Sequence, residues 1–305
     1  MKDCWHFITK DNLIFTTRGD NHPRGYILSV GLYYPDEKGD REYSGLIYSK
    51  KVDEYGDKWV KLICPGYVRK NNLGDQILVP VEDIDKFFDP FLVSQETREI
   101  IKRSKWGALI KILEEIIPQE DIGLIGSYLI GFPTMNSDID IILRGVDNME
   151  KIRNNFKLIL KKLNATNDLD NLLKEISLNK YNKLYSPEKN DFSRMIQNRW
   201  PTIRTREYVT KLRFVPKEGE IIFPDIKNKV DEIEIKGEVI NDLGTNFMPR
   251  FFKIKTETGL YFVLTYFWDY TYCVKKGDNV KVRGFLFDDN IIMINDRKKH
   301  GILFN

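Results

Sequence analysis

The chain of 305 residues contains only three cysteines, Cys4, Cys64 and Cys273, and only three histidines. The cysteines are too widely spaced for a CxxC zinc site or a disulfide framework, so a reducing, cytoplasmic setting is expected. His22 precedes Pro23 and reads as a turn residue, while His6 and His300 have no partner at a meaningful spacing and receive no role. No run of 18 uncharged apolar residues occurs, and no membrane-spanning helix is expected. The opening MKDCWHFITKDN is too polar for a signal peptide, so none is expected. There is no internal repeat and no low-complexity tract. A net charge of only +3 argues against a protein that coats nucleic acid by charge alone.

Apolar residues make up 42% of the chain and charged residues 30%, which excludes a largely disordered polymer. The charge is unevenly spread. Residues 1–93 carry a net −2, residues 94–216 a net +5, and residues 217–305 a net zero. The middle segment is thus the one suited to an anionic ligand.

Sequence pattern divides the chain at the same places. Residues 1–93 read as a β-rich domain: HFITKDNLIFTTRG has two apolar runs around Lys10-Asp11-Asn12, a hairpin signal. The segment closes near FFDPF, where Pro90 and a change of period mark a boundary. From Ser94 the period is helical; Ile100, Ile101, Leu109, Ile110, Leu113 and Ile116 predict one apolar helix face, stopped by Pro118. An apolar strand, IGLI, then runs into Gly126-Ser127. A second, Ser137 to Leu143, carries alternating aspartates. MEKIRNNFKLILKKL, DLDNLLKEI and DFSRMIQNRW predict helices, and YVTKLRFVP predicts a strand. In residues 217–305, five strand-like runs separated by turns predict a small OB-like barrel.

The chemistry concentrates in Gly126-Ser127 and Asp138-Ile139-Asp140. Two aspartates at i and i+2 on a strand point to one face. Carboxylates so held repel unless a cation lies between them, and a hard divalent ion is the natural partner. Ile139, Ile141 and Ile142 would anchor that strand in a core. A strand ending in Gly-Ser lets the backbone approach a ligand closely, and a helix starting there would favour phosphate. A phosphate cradle beside a metal-holding acid pair is what nucleotidyl transfer requires.

These residues resemble the signature of the polymerase β-type nucleotidyltransferase superfamily: Gly-Ser, a spacer, then Asp-x-Asp between apolar residues. The wider layout, with an extra N-terminal β domain, resembles archaeal predicted nucleotidyltransferases. The resemblance implies an α+β architecture. A nucleotidyltransferase-type α/β core (94–216) would be flanked by an N-terminal β domain (1–93) and a C-terminal OB-like barrel (217–305). It implies that Gly126 and Ser127 contact a nucleoside triphosphate and that Asp138 and Asp140 ligate Mg²⁺ or Mn²⁺, two ions serving catalysis. A third carboxylate should come from a later strand. The matching strand, YVTKLRFVP, offers Lys211 and Arg213 instead, residues suited to binding the nucleotide. Glu207 lies too far back along it, which leaves Asp225, just beyond the strand, as the candidate.

The expected activity is therefore transfer of a nucleoside monophosphate from an NTP to a hydroxyl of RNA, protein or a small molecule. The alternative is a non-catalytic nucleotide- or RNA-binding protein that retains the core; a regulatory subunit of a toxin–antitoxin pair is a third. The basic run Arg194, Arg199, Arg204, Arg206, Lys211 and Arg213 reads either as a solvated face or as a clamp for triphosphate or RNA backbone. The barrel segment alternates Phe251, Lys253 and Lys255, a pattern open to single-strand binding or to a purely scaffolding role.

Overall fold

A computed structural model describes residues 2–50, 57–71, 74–134, 137–167, 171–224, 226 and 228–305. The chain is a mixed α/β protein with an N-terminal curled sheet and a closed five-stranded barrel. It forms two compact units: Met1–Ala165 with Thr205–Ile221, and Thr166–Arg204 with Ile222–Asn305. These cuts do not fall at residues 93 and 216. The N-terminal sheet shares a unit with the Gly-Ser and Asp-x-Asp segments, and the helices after residue 166 go with the barrel.

The first unit begins with eight antiparallel strands: β1 (His6–Thr9), β2 (Ile14–Thr17), β3 (Tyr26–Pro35), β4 (Arg41–Tyr43), β5 (Leu46–Ser49), β6 (Val68–Asn71), β7 (Gly74–Pro80) and β8 (Ile84–Phe88). The main order is β4-β5-β3-β2-β1-β8, with β7 on β3 and β6 on β7. The long β3 bonds β7 through Tyr26–Ser29 and β5 through Tyr34 and Pro35, so the sheet curls along it. Inside the curl, α1 (Asp57–Ile63) drives Trp59 and Val60 against Phe7 and Phe15. Gly31 permits this, since a Cβ there would stand 2.3 Å from the Trp59 ring.

The expected single helix after Ser94 is two: α2 (Gln95–Lys102) and α3 (Gly107–Ile116). Ser94 does cap the first, its hydroxyl accepting from the Thr97 amide. The chain then doubles back so tightly that a Cβ on Gly107 would meet the Lys102 carbonyl at 2.0 Å. The break rotates Ile100 out to solvent, 57% exposed, while Leu109, Ile110, Ile112 and Leu113 stay in the core. Next come β9 (Ile122–Ile125), α4 (Ser127–Ile130), β10 (Asp140–Arg144) and α5 (Val146–Lys162). A later strand, β12 (Val209–Val215), runs parallel to β10, and β9 runs antiparallel on its other side. Ile141, Ile142 and Leu143 are fully buried at the centre, as a strand covered on both faces requires.

Asp121 braces this core from below. Its carboxylate is 3% exposed and accepts from Arg144, Asn148 and Lys217. The end of β10, the first turn of α5 and the segment after β12 are thereby tied to the residue just before β9.

In the second unit, α6 (Asn171–Leu184), α7 (Phe192–Gln197) and the short β11 (Thr202–Arg204) precede β13 (Lys229–Asn241), β14 (Arg250–Thr256), β15 (Gly259–Thr265), β16 (Asn279–Phe287), β17 (Ile291–Met293) and β18 (Gly301–Phe304). Strands β13-β14-β15-β17-β16 close back on β13, with β15 and β17 parallel, and β18 adds to β16. Tyr181, Tyr185, Phe192 and Met195 from α6, α7 and the segment between them pack on Phe252, Val280, Val282 and Ile302 of the barrel. That apolar contact joins these helices to the barrel.

Candidate active site

Strand β9 delivers the chain to Gly126, whose φ of 71° and ψ of −146° suit glycine and strain any other residue. A Cβ there would also stand 3.3 Å from Oδ2 of Asp140. Gly126 and Asp140 are therefore neighbours, although fourteen positions apart in sequence. Ser127 opens α4 and is 8% exposed. A helix does start at the Gly-Ser turn, but α4 has only four residues and carries no sizeable dipole at its start.

The aspartate pair also departs slightly from expectation. Asp140 is the first residue of β10, and Asp138 lies before the strand. The alternation survives: Asp138 is exposed, Ile139 is buried and Asp140 is half-buried. The segment is held by β12, where the Thr210 hydroxyl donates to the Ile139 carbonyl at 3.1 Å. Ile139 acts as the anchor that turns both carboxylates away from the core.

On β12, burial alternates so that Val209, Lys211 and Arg213 share one face, opposite Thr210, Leu212 and Phe214. Nη2 of Arg213 lies 3.5 Å from Oδ1 of Asp140. Lys211 is exposed on the same face. Glu207 sits in the turn before the strand, its amide bonded to the Thr205 hydroxyl. Asp225 falls outside the described residues. Among the described residues, no three His, Cys, Asp or Glu side chains gather as metal ligands. Magnesium is commonly held by one or two carboxylates together with substrate phosphates and water. Asp138 and Asp140 fit one such ion; a second finds no further carboxylate among the described residues and faces the charge of Arg213.

The N-terminal sheet supplies neighbours that sequence reasoning missed. Ile8, Ile14, Tyr33 and Tyr48 form one apolar cluster with Ile130 and Phe132, which follow the Gly-Ser turn. Arg41 donates to the Phe132 carbonyl at 3.4 Å and to the Ser137 hydroxyl at 3.2 Å. Its guanidinium lies over the rings of Tyr33 and Phe132, at 5.6 and 5.9 Å from their centres. The Lys50 ammonium is 5.9 Å from the Tyr33 ring centre. Burial raises the Tyr33 hydroxyl to about 12; Arg41 opposes this, and Asp140 and Asp138 add to it. Tyr33 thus lies within electrostatic reach of the acid pair, and Arg41 reaches Ser137, one residue before Asp138. His6 on β1 is 3% exposed, and its Nε2 accepts from the Gly126 amide at 2.8 Å. No spacing in the sequence signals this pairing across 120 positions. The hint is a histidine set directly before the apolar Phe7 and Ile8.

Residues 107–198 match the family model of the nucleotidyltransferase domain. The matched stretch includes Gly126, Ser127, Asp138 and Asp140, and ends before β12. No curated protein and no solved structure matches the chain. Over residues 107–198, less than a third of its length, the chain is similar to nucleotidyltransferase domains.

Proposed function

We propose that this protein transfers a nucleoside monophosphate from an NTP to a hydroxyl group and releases pyrophosphate. The observation that carries the reading is the Asp138/Asp140 pair, turned from the core by Ile139 and set against Gly126, inside the stretch that matches the nucleotidyltransferase domain. The acceptor oxygen bonds to the α-phosphorus as the bond to pyrophosphate breaks, and the acceptor's proton is released. Asp138 and Asp140 would hold Mg²⁺ or Mn²⁺. The bound ion supplies charge neutralisation on the triphosphate and lowers the pKa of the acceptor hydroxyl. Gly126 and Ser127 shape the turn against which the triphosphate rests, and Arg213 and Lys211 offset its negative charge. A two-ion version needs one more carboxylate, and Asp225 is the residue we assign to it.

For the acceptor we favour RNA, in the cytoplasm. The barrel order β13-β14-β15-β17-β16 with its one parallel pair supports an OB-type assignment. On β14 and β15, Lys253 and Lys255 are exposed, and Lys253 lies opposite the half-buried Phe262. Lys281 and Arg283 on β16 are instead engaged by Glu234 and Glu232, and are less suited to phosphate. Incubation with each labelled NTP, Mg²⁺ or Mn²⁺, and total cellular RNA or protein tests the activity. Label retained on a macromolecule supports it; no consumption of any NTP under any of these conditions overturns it.

One observation favours a second reading, a nucleotide- or RNA-binding protein without turnover. Arg213 stands beside Asp140, and no three-ligand cluster exists among the described residues. Saturable NTP binding with no consumption would establish that reading instead.

A further inference from the structure

The described site leaves one buried group unexplained. His6 belongs to the N-terminal sheet, far in sequence from the Gly-Ser turn, yet its Nε2 is the acceptor for the Gly126 amide. We infer that His6 is a positioning residue: by accepting from the Gly126 amide, it fixes the backbone of the phosphate-binding turn, and the N-terminal sheet is thereby an integral part of the nucleotide site. The inference rests on the nucleotidyltransferase reading for what the turn binds.

Four observations carry it. Gly126 has a φ of 71°, one of several conformations open to glycine without strain, so its own backbone preference does not single it out and a partner must hold it. The constraint is a 2.8 Å hydrogen bond to a side chain that is 3% exposed, whose burial limits competition from water. Next to it, Ile8 and Ile14 of β1 and β2 pack in one cluster with Ile130 and Phe132, which holds the two elements in register. Finally, burial lowers the His6 imidazole to about 4, against backbone contacts with Trp5 and Cys4, and Arg213 and Lys50 lower it further. At neutral pH the ring is therefore uncharged, with a lone pair on Nε2 and the proton on Nδ1.

A consequence follows for the phosphate contact. The Gly126 amide is committed to His6 and cannot also donate to a phosphate. Gly126 then contributes through its shape and its lack of a side chain, and donation to the triphosphate falls to other groups of the turn and to Arg213.

The test uses the full chain and three variants. Gln places its terminal oxygen where His6 has Nε2, Asn places its oxygen nearer Nδ1, and Leu fills the space with no acceptor. Two quantities are read: exchange of the Gly126 amide proton by NMR, and affinity for inorganic tripolyphosphate by calorimetry. Tripolyphosphate needs no base recognition, acceptor or turnover. The expected result is fast Gly126 exchange and at least about tenfold weaker binding in H6L and H6N, with H6Q close to wild type in both. Rescue by Gln but not by Asn separates an acceptor at one position from mere filling of space. Should H6L fail to fold, H6Q against H6N still decides the matter. Equal behaviour of Gln and Asn, or unchanged Gly126 exchange in H6N, overturns the inference. If the wild type itself binds neither tripolyphosphate nor any NTP, the nucleotidyltransferase reading falls instead, and Gly126 exchange still reports whether His6 holds the turn.

Discussion

Oδ1 of Asp140 lies 3.5 Å from Nη2 of Arg213, on neighbouring parallel strands. A carboxylate proposed to hold a cation thus already faces one that belongs to the protein. The pair is more than one-third exposed on both sides, so its contribution to stability is small. Its importance lies in charge. The guanidinium tempers repulsion between Asp138 and Asp140 before any ligand arrives, and it can turn to a phosphate afterwards.

Arg213→Gln should therefore change unfolding free energy by less than about 1 kcal/mol while weakening NTP binding. Asp140→Asn should abolish Mg²⁺-dependent NTP binding and leave the fold intact. Urea unfolding and calorimetry with and without Mg²⁺ read both. A loss of more than about 3 kcal/mol in Arg213→Gln would make the pair structural instead.

At the turn, Gly126→Val should be the more damaging of two changes. A side chain at φ of 71° and ψ of −146° costs on the order of 1–3 kcal/mol, and its Cβ would crowd Oδ2 of Asp140 at 3.3 Å. Ser127→Ala removes only a hydroxyl and should spare most of the NTP affinity. Equal tolerance of the two substitutions, by thermal unfolding and NTP affinity, would speak against a ligand-bearing turn.

Asp121 predicts a stability effect remote from the site. Burial would raise its carboxyl, but hydrogen bonds from Lys217, Arg144 and Asn148 outweigh it and hold the group below its ordinary range. A depressed carboxyl stabilises the fold above its ordinary titration range, and that stability is lost as pH falls through the folded value. Asp121→Ala should cost about 2–3 kcal/mol near neutral pH, less than a fully buried pair because Arg144 and Lys217 reach solvent. Urea titrations at neutral and acid pH should show the gap between wild type and variant closing in acid.

His6 gives a second pH dependence with the same sign. Its ordinary value of 6.5 falls to about 4 in the fold. Its neutral form stabilises fully above the higher value, and that contribution declines as pH falls toward the lower one, by up to about 3 kcal/mol. Wild type should lose stability relative to His6→Gln across this window. Parallel curves for the two proteins would show that the ring does not resist protonation.

Much of the local geometry of the candidate site was legible without coordinates. Glycine before serine at the end of an apolar run, then two aspartates around an isoleucine, are local patterns. Local patterns fix local geometry: the turn at Gly126, the alternation of Asp138, Ile139 and Asp140, the strand of Lys211 and Arg213. The helix after Ser94 was less legible. Its apolar spacing continues through Ser104, Lys105 and Trp106, and nothing in that spacing reveals the reversal that Gly107 permits.

What the sequence determined by itself was many of the secondary elements, the alternation of the acid pair and the excess of positive charge in the middle segment, since each depends on residues a few positions apart. Only the tertiary structure decided that His6, Tyr33 and Arg41 from the N-terminal sheet stand around the Gly-Ser turn and the acid pair. It likewise decided that the helices after residue 166 join the barrel. Those choices were made by burial of apolar surface, Ile8 and Tyr33 against Ile130 and Phe132, Tyr185 and Phe192 against the barrel strands. Such burial is non-directional and indifferent to separation along the chain, so it leaves no spacing to read.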